Sequence, residues 1–456
     1  MVARFYFIVF ILSAWLSTQL LADDWPCWMG PALDGEIHES GLVKDKLGSA
    51  DEIVVWRQPI GGGYAGPAVV GDQLFVMDRT DDEKGGKVEN NIRAAGELAG
   101  GERVQCIDIA TGKTLWEHKY DCVYRIAYPT GPRTTPTVDG DHVFTLGAMG
   151  RLICFEKANG KLVWEKELTE EYKTKPPLWG YSSHPLIYGD YVIVPVGGDG
   201  SGVVAFDRLT GKEVWKAVDT FDVAYAPLVM FSDESGKERQ LIFWHAEGVV
   251  SLNPADGKAY WDIKFPKERN PSQTSIATPK ILGNQILIVE YYKGSMLLEI
   301  GSNPPSVKEL WRSNEDDPRS EESLNCMMAT PAVKDGHAYG ICYNGRGQGV
   351  VRCIEIEGNE LKWEQEDWLS EKPQLFASAF FLRYNGDQYF VFNDIGELMI
   401  VNMTPEKWEE LDRVKLLEPS SVARGRNVVW SHPAISNGQA YLRNDKEIIR
   451  VNLKNK

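Results

Sequence analysis

Cys106-Ile-Asp-Ile-Ala-Thr-Gly-Lys-Thr-Leu-Trp116, Cys154-Phe-Glu-Lys-Ala-Asn-Gly-Lys-Leu-Val-Trp164 and Ala205-Phe-Asp-Arg-Leu-Thr-Gly-Lys-Glu-Val-Trp215 are three copies of one phrase. Each runs from a small residue through an acid and a Gly-Lys turn to a tryptophan. An Asp or Asn side chain accepts the N–H bonds of a tight turn, and glycine supplies the positive φ that closes it. The tryptophan is a large apolar plate suited to lie between neighbouring units. Looser copies end at Trp261, Trp311, Trp363 and Trp408, so that successive tryptophans stand 48, 51, 46, 50, 52 and 45 residues apart. A period near 50 residues, with three or four short apolar runs per unit, is the pattern of a propeller rather than of a helical repeat.

The beginnings of the units give the blade count. They are Gly66-Pro67, Thr135-Pro136, His184-Pro185, Ala226-Pro227, Thr278-Pro279, Thr330-Pro331, a proline-free Ser378-Ala379, and His432-Pro433. The last leaves room for three strands before Lys456. A strand with no unit before it, Val54-Val-Trp-Arg-Gln-Pro-Ile60, carries Trp56. The sequence therefore predicts an all-β chain, a single eight-bladed β-propeller of four-stranded antiparallel blades, in which the N-terminal strand completes the last blade and covers both open edges. Trp56, Trp116, Trp164, Trp215, Trp261, Trp311, Trp363 and Trp408 are expected to dock blade on blade.

The flanks divide readily. Residues 1–22 have one charge, Arg4, and an apolar run Phe5–Leu16 that ends near Ala22, the pattern of a cleavable signal peptide. The run is too short to span a bilayer, and no small-residue lipidation motif precedes Cys27. The expected location is periplasmic or secreted, without stable membrane insertion after cleavage. Residues 23–53 form an N-terminal arm with Trp25-Pro-Cys-Trp28, read as packing against the propeller; residues 54–456 form the propeller; and residues 79–103 read as a polar loop insertion in its first blade. The net charge of −16, with no basic run to offset it, disfavours nucleic acid. The seven cysteines are scattered, with no CxxC and no adjacent pair, and signal neither a metal cluster nor a disulfide framework.

The phrase ending in Gly-Lys-x-x-Trp resembles the quinoprotein, or PQQ-like, propeller repeat from about Val54 to the C-terminus. The opening Trp25 to Gly35 is similar to that of secreted bacterial PQQ-like repeat proteins. Two groups share the repeat. Quinoprotein alcohol dehydrogenases hold pyrroloquinoline quinone and Ca²⁺ in the central channel; a non-catalytic group is exemplified by the assembly lipoprotein BamB. The dehydrogenases' adjacent-cysteine pair is missing here, and their Ca²⁺-binding and catalytic acids have no recognisable match. The resemblance therefore implies the fold and an exported, non-enzymatic binding or assembly scaffold with an unknown protein or small-molecule partner. The alternatives are a quinoprotein-like oxidoreductase using the quinone and calcium, and another enzyme such as a hydrolase acting at the channel. No cofactor and no metal are assigned.

In a propeller the first strand of each blade is innermost, so residues just before each opening crowd the channel mouth. This places His184 and His432, each in a Ser-His-Pro triplet, together with Arg133, Tyr64, Tyr181 and Tyr225, at a candidate ligand channel. Trp179 and Trp430 are nearby. A cationic and aromatic mouth suits an anionic or planar ligand. The competing reading makes each histidine a packing residue bonded to a neighbouring blade. Blades three and eight lie well apart on the ring, so direct contact between the two histidines is not expected.

Overall fold

The computed structural model describes residues 24–80, 97–233, 235–236, 239–265, 274–313, 323–369, 374–423 and 425–455. Among these, eight four-stranded antiparallel sheets are arranged as blades, with one extra two-stranded hairpin, Ser421–Ala423 with Arg426–Val428. In blades one to seven the strands pair in chain order. Blade two, for example, is Thr137–Asp139, His142–Leu146, Arg151–Glu156 and Leu162–Glu167. Blade eight takes Ala434–Ser436, Gln439–Arg443 and Glu447–Asn452 from the C-terminus and Val54–Pro59 from the N-terminal side. Trp56 pairs with Arg450, and the ring is closed by antiparallel pairing of the chain's two ends. No helix among the described residues is long and apolar enough to cross a membrane.

The repeated turn works as its chemistry requires. Asp108 accepts the Thr111 N–H and hydroxyl at 2.7 and 2.6 Å, and Asp207 does the same with Thr210 at 2.8 and 2.7 Å. Gly112, Gly160, Gly211 and Gly257 all have φ near +70°. Each also lies under the tryptophan of the preceding blade: a Cβ on Gly160 would stand 2.5 Å from the Trp116 ring, one on Gly211 2.7 Å from Trp164, and one on Gly257 2.6 Å from Trp215. The indole N–H then donates to a carbonyl of that next blade. Trp56 bonds Ile109 at 2.9 Å, Trp116 bonds Lys157 at 3.0 Å, Trp164 bonds Arg208 at 3.0 Å and Trp215 bonds Pro254 at 3.1 Å. Trp311 and Trp363 continue the series with Ile356 and Thr404. One residue thus serves as turn former and as docking floor.

Two anchors depart from the pattern. Trp261 donates to Gln240 Oε1 within its own blade, and Gln240 Nε2 relays to Gly301 of blade five at 2.8 Å. Trp408 is out of register. In the other blades the tryptophan pairs with a third-strand residue beside a one-residue bulge in the fourth strand, as Trp164 pairs with Cys154. In blade seven that position belongs to Asp412, opposite Ile400, whereas Trp408 faces Met403. Asp412 accepts the Leu47 N–H of the arm at 2.7 Å instead.

The arm crosses one end of the channel. Trp25 exchanges two backbone bonds with Val69 of blade one, and Pro26 accepts from Val138 of blade two. Lys280 of blade five donates to the Asp34 carbonyl. Ile37 pairs with Arg383 of blade seven, and Val43 with Leu453 beside blade eight. The expected insertion 79–103 is narrower than its boundaries: Arg79 and Arg103 both lie in strands, Gln73–Thr80 and Gly101–Asp108, with Arg79 opposite Glu102. Residues 81–96 of it, and the signal segment 1–22, lie outside the described residues.

Candidate functional site

Each blade is entered by a segment that climbs to the channel axis just before its innermost strand. Eight such segments converge on a cavity of about 200 Å³. Its wall is largely aromatic and apolar: Tyr64, Tyr128, Trp179, Tyr225, Ile276, Met327, Met328, Phe376, Phe380 and Trp430, with Trp28 of the arm as its floor. On the far side of Trp28 is a second, more polar space of about 630 Å³, walled by the arm and the innermost strands of blades two to five. Trp28, His184 and Pro227 border both.

Trp28 draws together the two histidines that the ring spacing places apart. Its indole stacks on His184 with ring centres 4.5 Å apart and contacts His432 at the same distance, tilted by 50°. Its N–H donates to Thr278 Oγ1 at 3.1 Å. His184 Nδ1 accepts the Thr135 N–H of blade two at 2.8 Å. Burial lowers both imidazoles to about 3, and each is neutral at pH 7. The two histidines thus meet on one group, the Trp28 indole, a residue outside the repeat.

The remaining candidates divide. Tyr64 lines the cavity and donates to Thr130 Oγ1 at 3.0 Å; burial raises its hydroxyl to about 12. Arg133 lies over the Tyr64 ring at 5.3 Å, but its guanidinium is spent on the Gly131, Ala127 and Tyr128 carbonyls. Tyr225 lines the wall and stacks near Trp179 at 5.0 Å. Tyr181 is a correction: its side chain turns into the core between blades two and three, where its hydroxyl donates to Val196 at 2.6 Å. Tyr128, Met327, Met328, Phe376 and Phe380 are additions. Their positions around the blade openings are the signal that would have found them.

The cavity does not fit a quinone with calcium. Ca²⁺ takes six to eight oxygens, usually with carboxylates among them, and among the described residues no Asp or Glu lines the cavity. The carboxylate behind its wall, Asp394, is paired with Arg426. A polycarboxylated quinone would meet one cation, Arg133, three of whose N–H groups are bonded to backbone carbonyls. Elsewhere, Asp34, Glu36 and His38 of the arm stand close enough to share an ion. Glu36 there is in a salt bridge with Arg383, and Asp34 accepts the Glu36 N–H.

Similarity to known proteins follows the same lines. Residues 100–311 match the family model described as outer membrane protein assembly factor BamB. The BamB of Burkholderia pseudomallei is 24% identical over 221 residues, 41% of this chain and 54% of that protein. The BamB of Bordetella pertussis is 23% identical over 238 residues, 51% of this chain and 54% of that one. The chain thus spans about half the length of the curated relatives it matches. Among solved structures, BamB from Moraxella catarrhalis superimposes with a TM-score of 0.56 at 13% identity, over 88% of this chain and 98% of that one. Quinohemoprotein alcohol dehydrogenase from Comamonas testosteroni gives 0.61 at 15% identity, over 95% and 81%. At these identities the likeness concerns the fold alone.

Proposed function

We propose that this chain, whose residues 100–311 match the BamB family model and whose fold is shared with PQQ-type propellers, works as an exported, non-enzymatic binding or assembly scaffold. Its axial cavity takes an uncharged, apolar aromatic group of a ligand or partner. The observation that carries this reading is the composition of the wall. It offers several aromatic faces and two methionines, and its Arg133 and His184 are held by hydrogen bonds to backbone groups. A concave, largely apolar site of this kind gains from burying flat hydrocarbon. Methionine walls adapt to varied shapes. The likeness to assembly factors supports the scaffold part of the reading, and the signal-like residues 1–22 support export.

Titration with N-phenyl-1-naphthylamine, an uncharged aromatic dye, tests it. The full chain should give a saturable, one-to-one fluorescence rise. Met328→Arg, which places a charge at the partly exposed wall, should weaken binding at least tenfold while leaving the melting temperature unchanged. Equal binding by both proteins would overturn the assignment of the cavity.

A further inference from the structure

Five of the seven cysteines stand apart: Cys106, Cys154 and Cys353 occupy the same place in three different blades, and Cys27 and Cys122 lie near the surface. Cys326 and Cys342 do not. Cys326 is in the segment that enters blade six, and Cys342 in that blade's second strand, His337–Tyr343. Both are fully buried, and their sulfurs are 4.0 Å apart.

The backbones are also held together, and this is what a bridge requires. Asn325 clamps onto Tyr343 from both sides: its Nδ2 donates to the Tyr343 carbonyl at 2.9 Å, and its Oδ1 accepts the Tyr343 N–H at 2.8 Å. The segment 325–326 therefore lies beside 343–342. Each sulfur lies against a residue near the other cysteine. The Asn325 N–H points at Cys342 Sγ at 3.5 Å, and Cys326 Sγ lies 2.5 Å from where a Cβ on Gly340 would stand. Gly340 is two residues before Cys342 and faces the same side, and its missing side chain is what admits the Cys326 thiol.

We propose that Cys326 and Cys342 are a disulfide site, closed when the chain folds in the presence of a disulfide oxidant. A small rotation of each side chain brings sulfurs at 4.0 Å to the bonding distance of about 2.05 Å. The exchange balances with glutathione disulfide as oxidant. One cysteine thiolate attacks it, forms a mixed disulfide and releases one glutathione. The second cysteine thiolate then attacks the protein sulfur and releases the other. Two protein thiols have lost two electrons and two protons, and the oxidant has become two thiols. Burial raises the Cys326 thiol well above its ordinary value, and the Arg352 guanidinium works in the other direction. The bridge would tie the entry of blade six to its second strand, across 16 residues. Because both sulfurs are shielded in the folded protein, the bond forms during folding and is then protected from reductant.

The experiment uses the full chain, reduced and unfolded in guanidinium chloride and refolded either in mixed reduced and oxidised glutathione or in excess dithiothreitol. The refolded monomer is denatured, alkylated and peptide-mapped. The expected result in glutathione is five alkylated cysteines of the seven and one linked peptide joining Cys326 to Cys342; the dithiothreitol sample should show seven. Seven alkylated cysteines in the glutathione sample, or a linkage through any other cysteine, would overturn the proposal.

Discussion

The indole of Trp28 lies on the imidazole of His184 with ring planes 12° from parallel and centres 4.5 Å apart. This contact joins the non-repetitive arm to blade three at the channel axis. Trp28→Ala should cost about 3 kcal/mol, the lower end for removing a packed aromatic side chain, since the ring is partly exposed. Guanidinium unfolding measures it. A change below about 0.5 kcal/mol would show that the arm does not close the channel.

The same contact gives a pH dependence. His184 and His432 titrate near 3 in the folded protein, below the ordinary value of 6.5, because burial disfavours the charged ring. The unfolded chain binds protons first, so stability falls as pH drops from about 6.5 towards 3, by about 1.4 kcal/mol per pH unit for each ring. Glu290, raised to about 7 by burial, has the opposite slope between about 4.5 and 7. The prediction is therefore a difference: His184→Asn should be less sensitive to acid than the parent between pH 6 and 4, by about one proton. Parallel curves for the two proteins would place His184 outside the buried interior.

The glycine floors are testable in pairs. Gly160→Ala puts a methyl group 2.5 Å from the Trp116 ring at φ +71°, and Gly140→Ala puts one in open space at φ +56°. Both pay the left-handed backbone cost of about 1 kcal/mol. Gly160→Ala should add about 1–3 kcal/mol of overpacking. Equal losses on chemical denaturation would mean that the tryptophan does not rest on the turn.

Trp164→Ala should cost about 3–5 kcal/mol, because the ring is buried between blades two and three. Trp408→Ala should cost less than half of that, since Trp408 is out of the docking register. If the two losses are alike in thermal melts, register is not what makes an anchor.

Closure of the ring was legible from the count of openings against closing tryptophans, because both are local signals. So was the turn, where Asp108, Thr111 and Gly112 act within five residues. Trp408 was misread because it stands four residues before the docking position, Asp412, although the short spacing of 45 residues from Trp363 carried a trace of it. The cavity was half visible. The phase of the repeat places Tyr64, Arg133, His184 and Tyr225 around the mouth, but Tyr181, three residues before His184, turns into a blade core. Trp28 was hidden for another reason: its partners are Thr278, His184 and His432, all distant in sequence, and no periodicity points to them.

The claim that this propeller is a scaffold rather than a quinoenzyme meets its most direct test in anaerobic reconstitution of the mature chain with pyrroloquinoline quinone and Ca²⁺. The preparation should be one that binds the naphthylamine dye, followed by quinone absorbance and by dye-linked oxidation of primary alcohols. The account predicts no stoichiometric quinone retained after gel filtration and no alcohol-dependent dye reduction above the protein-free rate. Retention of one quinone per chain with calcium-dependent turnover would contradict it.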